Sequence, residues 1–210
     1  MMKQLLTAVS PIFSARIGQS PIQDQHLQKI VRAIDELETE KSVEPQSFTV
    51  MERWLETAVS LAAGQEGEAA ANALLTVSKK LRWGQSYANY IGEPDIDLLR
   101  ANYGYTLLAA PVLPERPSAH FGCDSVLFGF SIQAPNTLYP SHVHKAVEFY
   151  YVLGGTAVWQ WGDQWQAQPP GALIFHNSGV RHAMQTHDEP LLTLFAWTTD
   201  LFGQNVIVRA

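Results

Sequence analysis

The sequence has one cysteine, Cys123, few charges and a shortage of positive ones. A lone thiol cannot close an intrachain bridge, so a disulfide-stapled scaffold is excluded; Cys123 reads as a small buried hydrophobe, compatible with a reducing compartment. Charged residues occupy 16% of the 210 positions and apolar ones 46%. That balance lies below the ~25% charge of an average soluble domain and argues against disorder. Fourteen Lys and Arg against 20 Asp and Glu leave a net charge of −6, which offers no basic field to a phosphate backbone and excludes nucleic acid as a partner. No apolar run approaches the roughly 20 residues that cross a bilayer. The first 15 residues make a poor secretory leader, with one lysine, a short apolar stretch and then Ser10-Pro11. A cytoplasmic protein without a membrane partner is expected. Internal repeats and low-complexity tracts are also missing.

What is present changes character midway. Residues 1–101 hold 10 Lys/Arg and 13 Asp/Glu, and residues 102–210 the remaining 4 and 7. The first stretch reads as a helical segment and the second as a β domain on which it packs. Leu27, Ile30, Val31, Ile34 and Leu37 recur at helical offsets. A second helix is predicted from Thr49, with Thr49 and Glu52 spaced as a capping box, and Gly64 ends it. The Ala-rich stretch from Glu68 to Arg82 predicts a third. Gly92-Glu93-Pro94 breaks the helical pattern. The apolar stripes suit packing over a barrel mouth or a homodimer contact.

From about Tyr103 onward, short apolar runs alternate with Gly, Pro, Asn and Asp. Strands are predicted over 105–109, 126–133, 147–153, 156–161, 164–168, 172–175, 183–186 and 191–198, with Gly162-Asp163 as a tight hairpin turn. So many short strands at near-regular spacing favour an antiparallel barrel or double-sheet roll.

Histidine carries the sharpest chemical signal: six of seven, all but His26, lie beyond residue 119. In the run from Tyr139 to Gly155, an extended ribbon places His142, His144, Glu148 and Tyr150 on one face, because side chains repeat every two residues. A Pro170-Gly171 turn, a short strand and a second turn then bring His182 back toward the interior. Imidazoles and a carboxylate without thiolates suit a first-row divalent ion, and such a site is catalytic if a coordination position stays open. Glu148 in an apolar strand is costly to bury without a cation. His120 and His176 read as structural, His26 and His187 as surface residues. Trp159, Trp161 and Trp165 share one strand parity and so line one face, as core or as a wall for a cation; Trp197 has the same two readings.

The spacing HxHx3Ex6G from His142 to Gly155, followed by PG and a glycine three residues ahead of His182, resembles the two-part cupin motif. It lacks the usual glycine before the first histidine and carries His176-Asn177-Ser178 where a proline turn is common. Cupins are double-stranded β-helix (jelly-roll) barrels holding one metal, so the fold class expected is mainly β with α: a cupin barrel over 102–210 preceded by the N-terminal helical segment, 1–101. The fuller pattern Tyr-x2-His-x-His-x3-Glu-x-Tyr, with a histidine 32 residues later, is similar to the cupin-type dimethylsulfoniopropionate (DMSP) lyases.

That resemblance implies a small zwitterionic substrate, cleaved by β-elimination to dimethyl sulfide and acrylate, and one divalent transition metal ion: Zn, Fe, Mn, Co or Ni. It assigns His144, Glu148, Tyr150 and His182 to the metal with His142 beside them or ligating, and Tyr139 to the substrate pocket. The metal would bind the substrate carboxylate, Tyr150 would remove the alpha proton with Tyr139 as alternative base, and Trp159, Trp161 and Trp197 would face the sulfonium through cation-π attraction. The competing readings are a cupin Fe(II) dioxygenase, which gives the two tyrosines no role, and a small-molecule-sensing cupin module, for which no basic recognition helix is present.

Overall fold

The computed structural model describes residues 1–209. Five helices, α1 (Met2–Ser14), α2 (Pro21–Asp35), α3 (Thr49–Ser60), α4 (Glu68–Val77) and α5 (Pro94–Asn102), precede or border twelve strands. These are β1 (Trp83–Gly84), β2 (Tyr103–Ala110), β3 (Phe121–Gly122), β4 (Leu127–Gln133), β5 (Leu138–Val143), β6 (Glu148–Gly154), β7 (Ala157–Trp161), β8 (Gln164–Gln168), β9 (Leu173–His176), β10 (His182–Thr186), β11 (Leu191–Trp197) and β12 (Val206–Ile207). They form two facing sheets, one ordered β1-β2-β4-β11-β6-β9 with β3 beside β2, the other β12-β5-β10-β7-β8. All pairings are antiparallel except β2 with β3. This is a cupin-type double-sheet barrel with helices ahead of it.

The larger sheet is covered on both faces, which is why β4, β6 and β11 are buried along their whole length and read as unbroken apolar runs instead of alternating ones. Its outer face, with Phe128, Phe130, Phe149, Tyr151, Leu153 and Leu194, packs into one cluster with Leu5, Leu27, Ile30, Leu55 and Leu74 of the helices. The helical stripes therefore lie on a sheet face, not over a barrel mouth. Residues of opposite parity, among them Tyr150, Ile174, Phe195 and Trp197, fill the interior together with Tyr139 and Trp159 of the smaller sheet.

Local differences from the predicted elements have identifiable causes. The N-terminal stretch, which reads only as a poor leader, is α1: Pro11 removes one backbone donor, but burial of Leu5, Leu6, Val9, Ile12 and Phe13 outweighs that loss. Thr49 is the first helical residue, Phe48 holds the N-cap and no side chain caps the helix, so the capping box does not form. The third helix ends at Val77, with a 3-10 turn over Ser78–Lys80, short of the predicted Arg82. Pro94, a helix breaker by its local pattern, starts α5 at the one position where its missing N–H costs nothing. Among the described residues no helix is long and apolar enough to cross a membrane.

Candidate metal and substrate site

The Tyr139–Gly155 run is two strands in different sheets, β5 and β6, joined by a turn over residues 144–147. His142 and Glu148 thus lie on opposed sheets, His144 in the connection reaches Glu148 at 2.9 Å, and shared parity on one ribbon does not account for the site. Tyr139 and His142, of opposite parity, both face inward because of a β-bulge: three steps on β5 (Tyr139 to His142) oppose two on β10 (His182 to Met184). The irregularity re-aims a side chain beside the site.

His142, His144 and His182 bring nitrogen atoms within 4.8 Å of one another and are all buried. In each ring Nδ1 lies near a backbone carbonyl: Pro140 O at 2.9 Å for His142, Ala146 O at 3.0 Å for His144 and Val180 O at 2.8 Å for His182. A carbonyl only accepts, so each Nδ1 carries the hydrogen, and in the neutral ring Nε2 is left as an inward lone pair. The Nε2 atoms of His142 and His182 have no hydrogen-bond partner among the described residues. Glu148, 2% exposed, sets Oε2 at 2.9 Å from His144 Nε2 and 3.2 Å from His182 Nε2, the latter without hydrogen-bond geometry. A carboxylate facing imidazole lone pairs is repulsive unless a proton or a cation lies between them. Three pre-oriented Nε2 atoms and a buried carboxylate therefore fit a divalent first-row ion.

Burial pushes the Glu148 carboxyl up, but the charge and hydrogen bond of His144, with His182 beside it, reverse this and hold it well below the usual carboxylate range. Burial likewise opposes protonation of His144, yet Glu148 beside it leaves that imidazole above its ordinary value. His142 lies well below the usual value through burial and then the neighbouring His182. Tyr150 is driven well above 10 by burial and next by Glu148. Tyr139 is pushed up to about 12, chiefly by burial.

Tyr139 packs its ring 4.7 Å from His142 and 4.9 Å from Tyr103. Tyr150, on β6, lies 5.1 Å from Trp159 and 6.2 Å from Phe195. Trp159 is buried, its Nε1 donating to His176 Nε2 at 3.1 Å; Trp161 is half-buried, 5.6 Å from the same imidazole. Trp165 does not join them. The two-residue turn pairs it with Gln160, which reverses the parity, and it stands exposed on β8. Trp197 occupies a different place from the others: Nε1 donates to Glu148 Oε1 at 2.7 Å, and its ring lies 4.6 Å from His144 and 4.5 Å from the Arg116 guanidinium.

Several neighbours were missed by sequence reasoning. His176, expected to be structural, is fully buried, pairs in register with Glu148 and stacks on His182 at 4.0 Å. Because Trp159 donates to its Nε2, its proton sits on Nδ1, which has no partner among the described residues. Tyr103 and Tyr87 border Tyr139; neither carries a motif, and only the fold brings them here. His26 is half-buried on Thr198 rather than at the surface, while His187 is exposed.

Comparison with known proteins gives a consistent set of relatives. A profile of the dimethylsulfoniopropionate lyase family matches residues 21–193. DddL of Cereibacter sphaeroides is 30% identical over 142 residues, 66% of this chain and 56% of that protein. The dimethylsulfoniopropionate lyase DddQ of Ruegeria pomeroyi is 39% identical over 83 residues, 39% of this chain and 41% of the relative. The chain thus spans about half the length of the curated relatives it matches. In three dimensions the crystal structure of DddQ superposes at a TM-score of 0.70 with 24% identity, covering 99% of this chain and 96% of that one. A structure described for the DMSP lyases RdDddP and RnDddQII reaches 0.77 with 20% identity, covering 99% and 97%. At these identities the superpositions speak to the fold.

Proposed function

Because the chain belongs to the dimethylsulfoniopropionate lyase family, we propose that it cleaves DMSP by metal-dependent β-elimination to dimethyl sulfide and acrylate. The observation that carries the reading is the buried convergence of His142, His144 and His182, with Glu148 against His144 and His182 and the hydroxyl-bearing Tyr150 and Tyr139 in the same interior between the two sheets. These four side chains would hold the ion, with Tyr150 beside them. When bound, a divalent cation supplies Lewis acidity toward the substrate carboxylate and a positive field that favours ionisation of neighbouring acids.

The residues of the chain do the rest. The barrel excludes water from the alpha carbon, so charge developing there meets fixed dipoles. Tyr150 Oη takes the alpha proton; the freed C–H pair becomes the new C=C bond, the C–S bond breaks, and its electrons leave on neutral dimethyl sulfide. Water then takes the proton from Tyr150. Without a neighbouring positive charge both Tyr150 and Tyr139 are weak acids, held above 10. Base catalysis and ion binding are therefore predicted to be inseparable; Tyr139 is the alternative base. Trp159 and Trp161 offer aromatic surface for the sulfonium, each contact worth roughly 0.5–2 kcal/mol.

The test is headspace detection of dimethyl sulfide from purified protein supplied with DMSP, in air and under nitrogen, with a chelated control and separate re-addition of Zn, Fe, Mn, Co and Ni. Activity that is lost on chelation and independent of oxygen supports the reading. No dimethyl sulfide with any metal refutes it.

A further inference from the structure

Tyr87 stands outside both motifs, in the segment between β1 and α5, yet it packs against the barrel-interior cluster. Its ring makes edge contacts with Tyr139 at 5.7 Å, His142 at 6.3 Å and Tyr90 at 5.9 Å. Two features are hard to explain by packing. The backbone is left-handed, φ 62° and ψ 41°, a conformation that residues with a Cβ adopt only at a cost. The hydroxyl is buried and makes no hydrogen bond among the described residues, although the ring itself is half-buried. The Tyr139 hydroxyl and the Asn205 side chain are close enough to perturb it, but neither completes a bond, and Asn205 Oδ1 is also buried and unpartnered.

The strained conformation is held from the preceding side. Gln85 Nε2 donates to the Arg100 carbonyl, Arg100 Nη1 donates to the Ser86 carbonyl, and Arg100 Nη2 reaches Gln85 Oε1 at 3.4 Å. Arg100 thus grips the two residues ahead of Tyr87, whose ring lies beside Tyr139 and His142. A buried O–H donor left unmatched by protein costs stability, and a chain that holds one there at the expense of backbone strain presents it to something else.

We infer that the Tyr87 hydroxyl is a substrate contact: it donates a hydrogen bond to a carboxylate oxygen of the bound substrate and so selects for the acid end of the molecule. The inference rests on the proposed DMSP reading for the identity of that carboxylate. Asn205, whose carboxamide can turn an N–H toward the same oxygen, is the natural second donor. A trialkylsulfonium without a carboxylate has no use for Tyr87.

The test is Tyr87→Phe, which removes only the oxygen, assayed in the metal-loaded protein beside the wild type. The expected result is a rise in KM for DMSP of about tenfold or more with kcat changed less than threefold. Dissociation constants measured by calorimetry should shift by the same factor for propionate and not at all for trimethylsulfonium. The thermal midpoint should hold or rise, since an unsatisfied polar atom is deleted; a residue that only supports the fold would lower it. Equal propionate affinity in the two proteins overturns the inference, as does a matching loss for trimethylsulfonium. Propionate binding is measured without turnover, so a wild type that releases no dimethyl sulfide would sink the lyase reading while still deciding the role of Tyr87.

Discussion

Replacing Trp197 by phenylalanine separates two jobs that the sequence could not tell apart. If the indole is part of a sulfonium wall, its loss weakens substrate binding. The geometry favours a different role, because Nε1 donates to Glu148 Oε1 at 2.7 Å while the other oxygen, Oε2, faces His144 and His182. The ring also contacts both Arg116 and His144 and is buried, leaving little free surface for a ligand cation. Phenylalanine keeps an aromatic ring but leaves a buried carboxylate oxygen without its donor. A hydrogen bond to a charged group is worth about 1.5–3 kcal/mol, or roughly 10- to 150-fold in an equilibrium constant. Loss of an outer partner of a metal ligand costs a comparable ~10–100-fold in affinity. The expected result is an apparent zinc or nickel dissociation constant about 10- to 100-fold weaker by chelator competition, with KM for DMSP nearly unchanged once metal is saturating. Unchanged metal affinity with a raised KM would refute the reasoning and return Trp197 to the substrate wall.

Three further outcomes follow from the same geometry. Tyr150→Phe should lower kcat by about 10²- to 10⁴-fold, the range of a lost general base, with metal content by elemental analysis nearly intact; His182→Ala should lower both, and a Tyr150→Phe protein retaining most activity moves the base to Tyr139. Gly154→Ala should destabilise the protein by about 1–3 kcal/mol or more in urea unfolding, because an added Cβ would sit 2.1 Å from the Ala58 carbonyl where α3 meets β6; an unchanged midpoint would mean that the helices do not press on the sheet as described. His26, held below its ordinary value by burial and then by Lys29, resists protonation in the fold. Its contribution is complete above pH 6.5 and is lost as pH falls from there through the lowered value, so His26→Gln should flatten the acid side of the stability profile measured by denaturant titration between about pH 7 and 5.

Much of the fold was legible because local chemistry and final environment agree. The strand at 164–168 and the Gly162-Asp163 turn, with Gly162 at φ +56°, appear where their residues place them. The stretch 191–197 reads as a strand because both of its faces are covered. Differences arose where one local rule was read in place of another: Pro94 opens α5 at its first position, and the Thr49 cap gives way to Phe48. The shared parity of His142 and Glu148 was a sound local statement attached to the wrong geometry, since a turn intervenes and the two strands belong to different sheets.

The division between chain and fold is therefore chemical on one side and spatial on the other. The order of residues alone determined which donors exist: imidazoles clustered in a charge-poor half, one carboxylate in an apolar strand, two tyrosines at fixed offsets, and amphipathic helices ahead of them. Only the tertiary structure decided which of those groups meet, because contacts across a barrel depend on strand pairing, a bulge and opposed sheets that no window of neighbouring residues contains. It oriented each histidine through its own carbonyl, set the Trp197 indole against Glu148, and delivered Tyr87 from a segment with no motif.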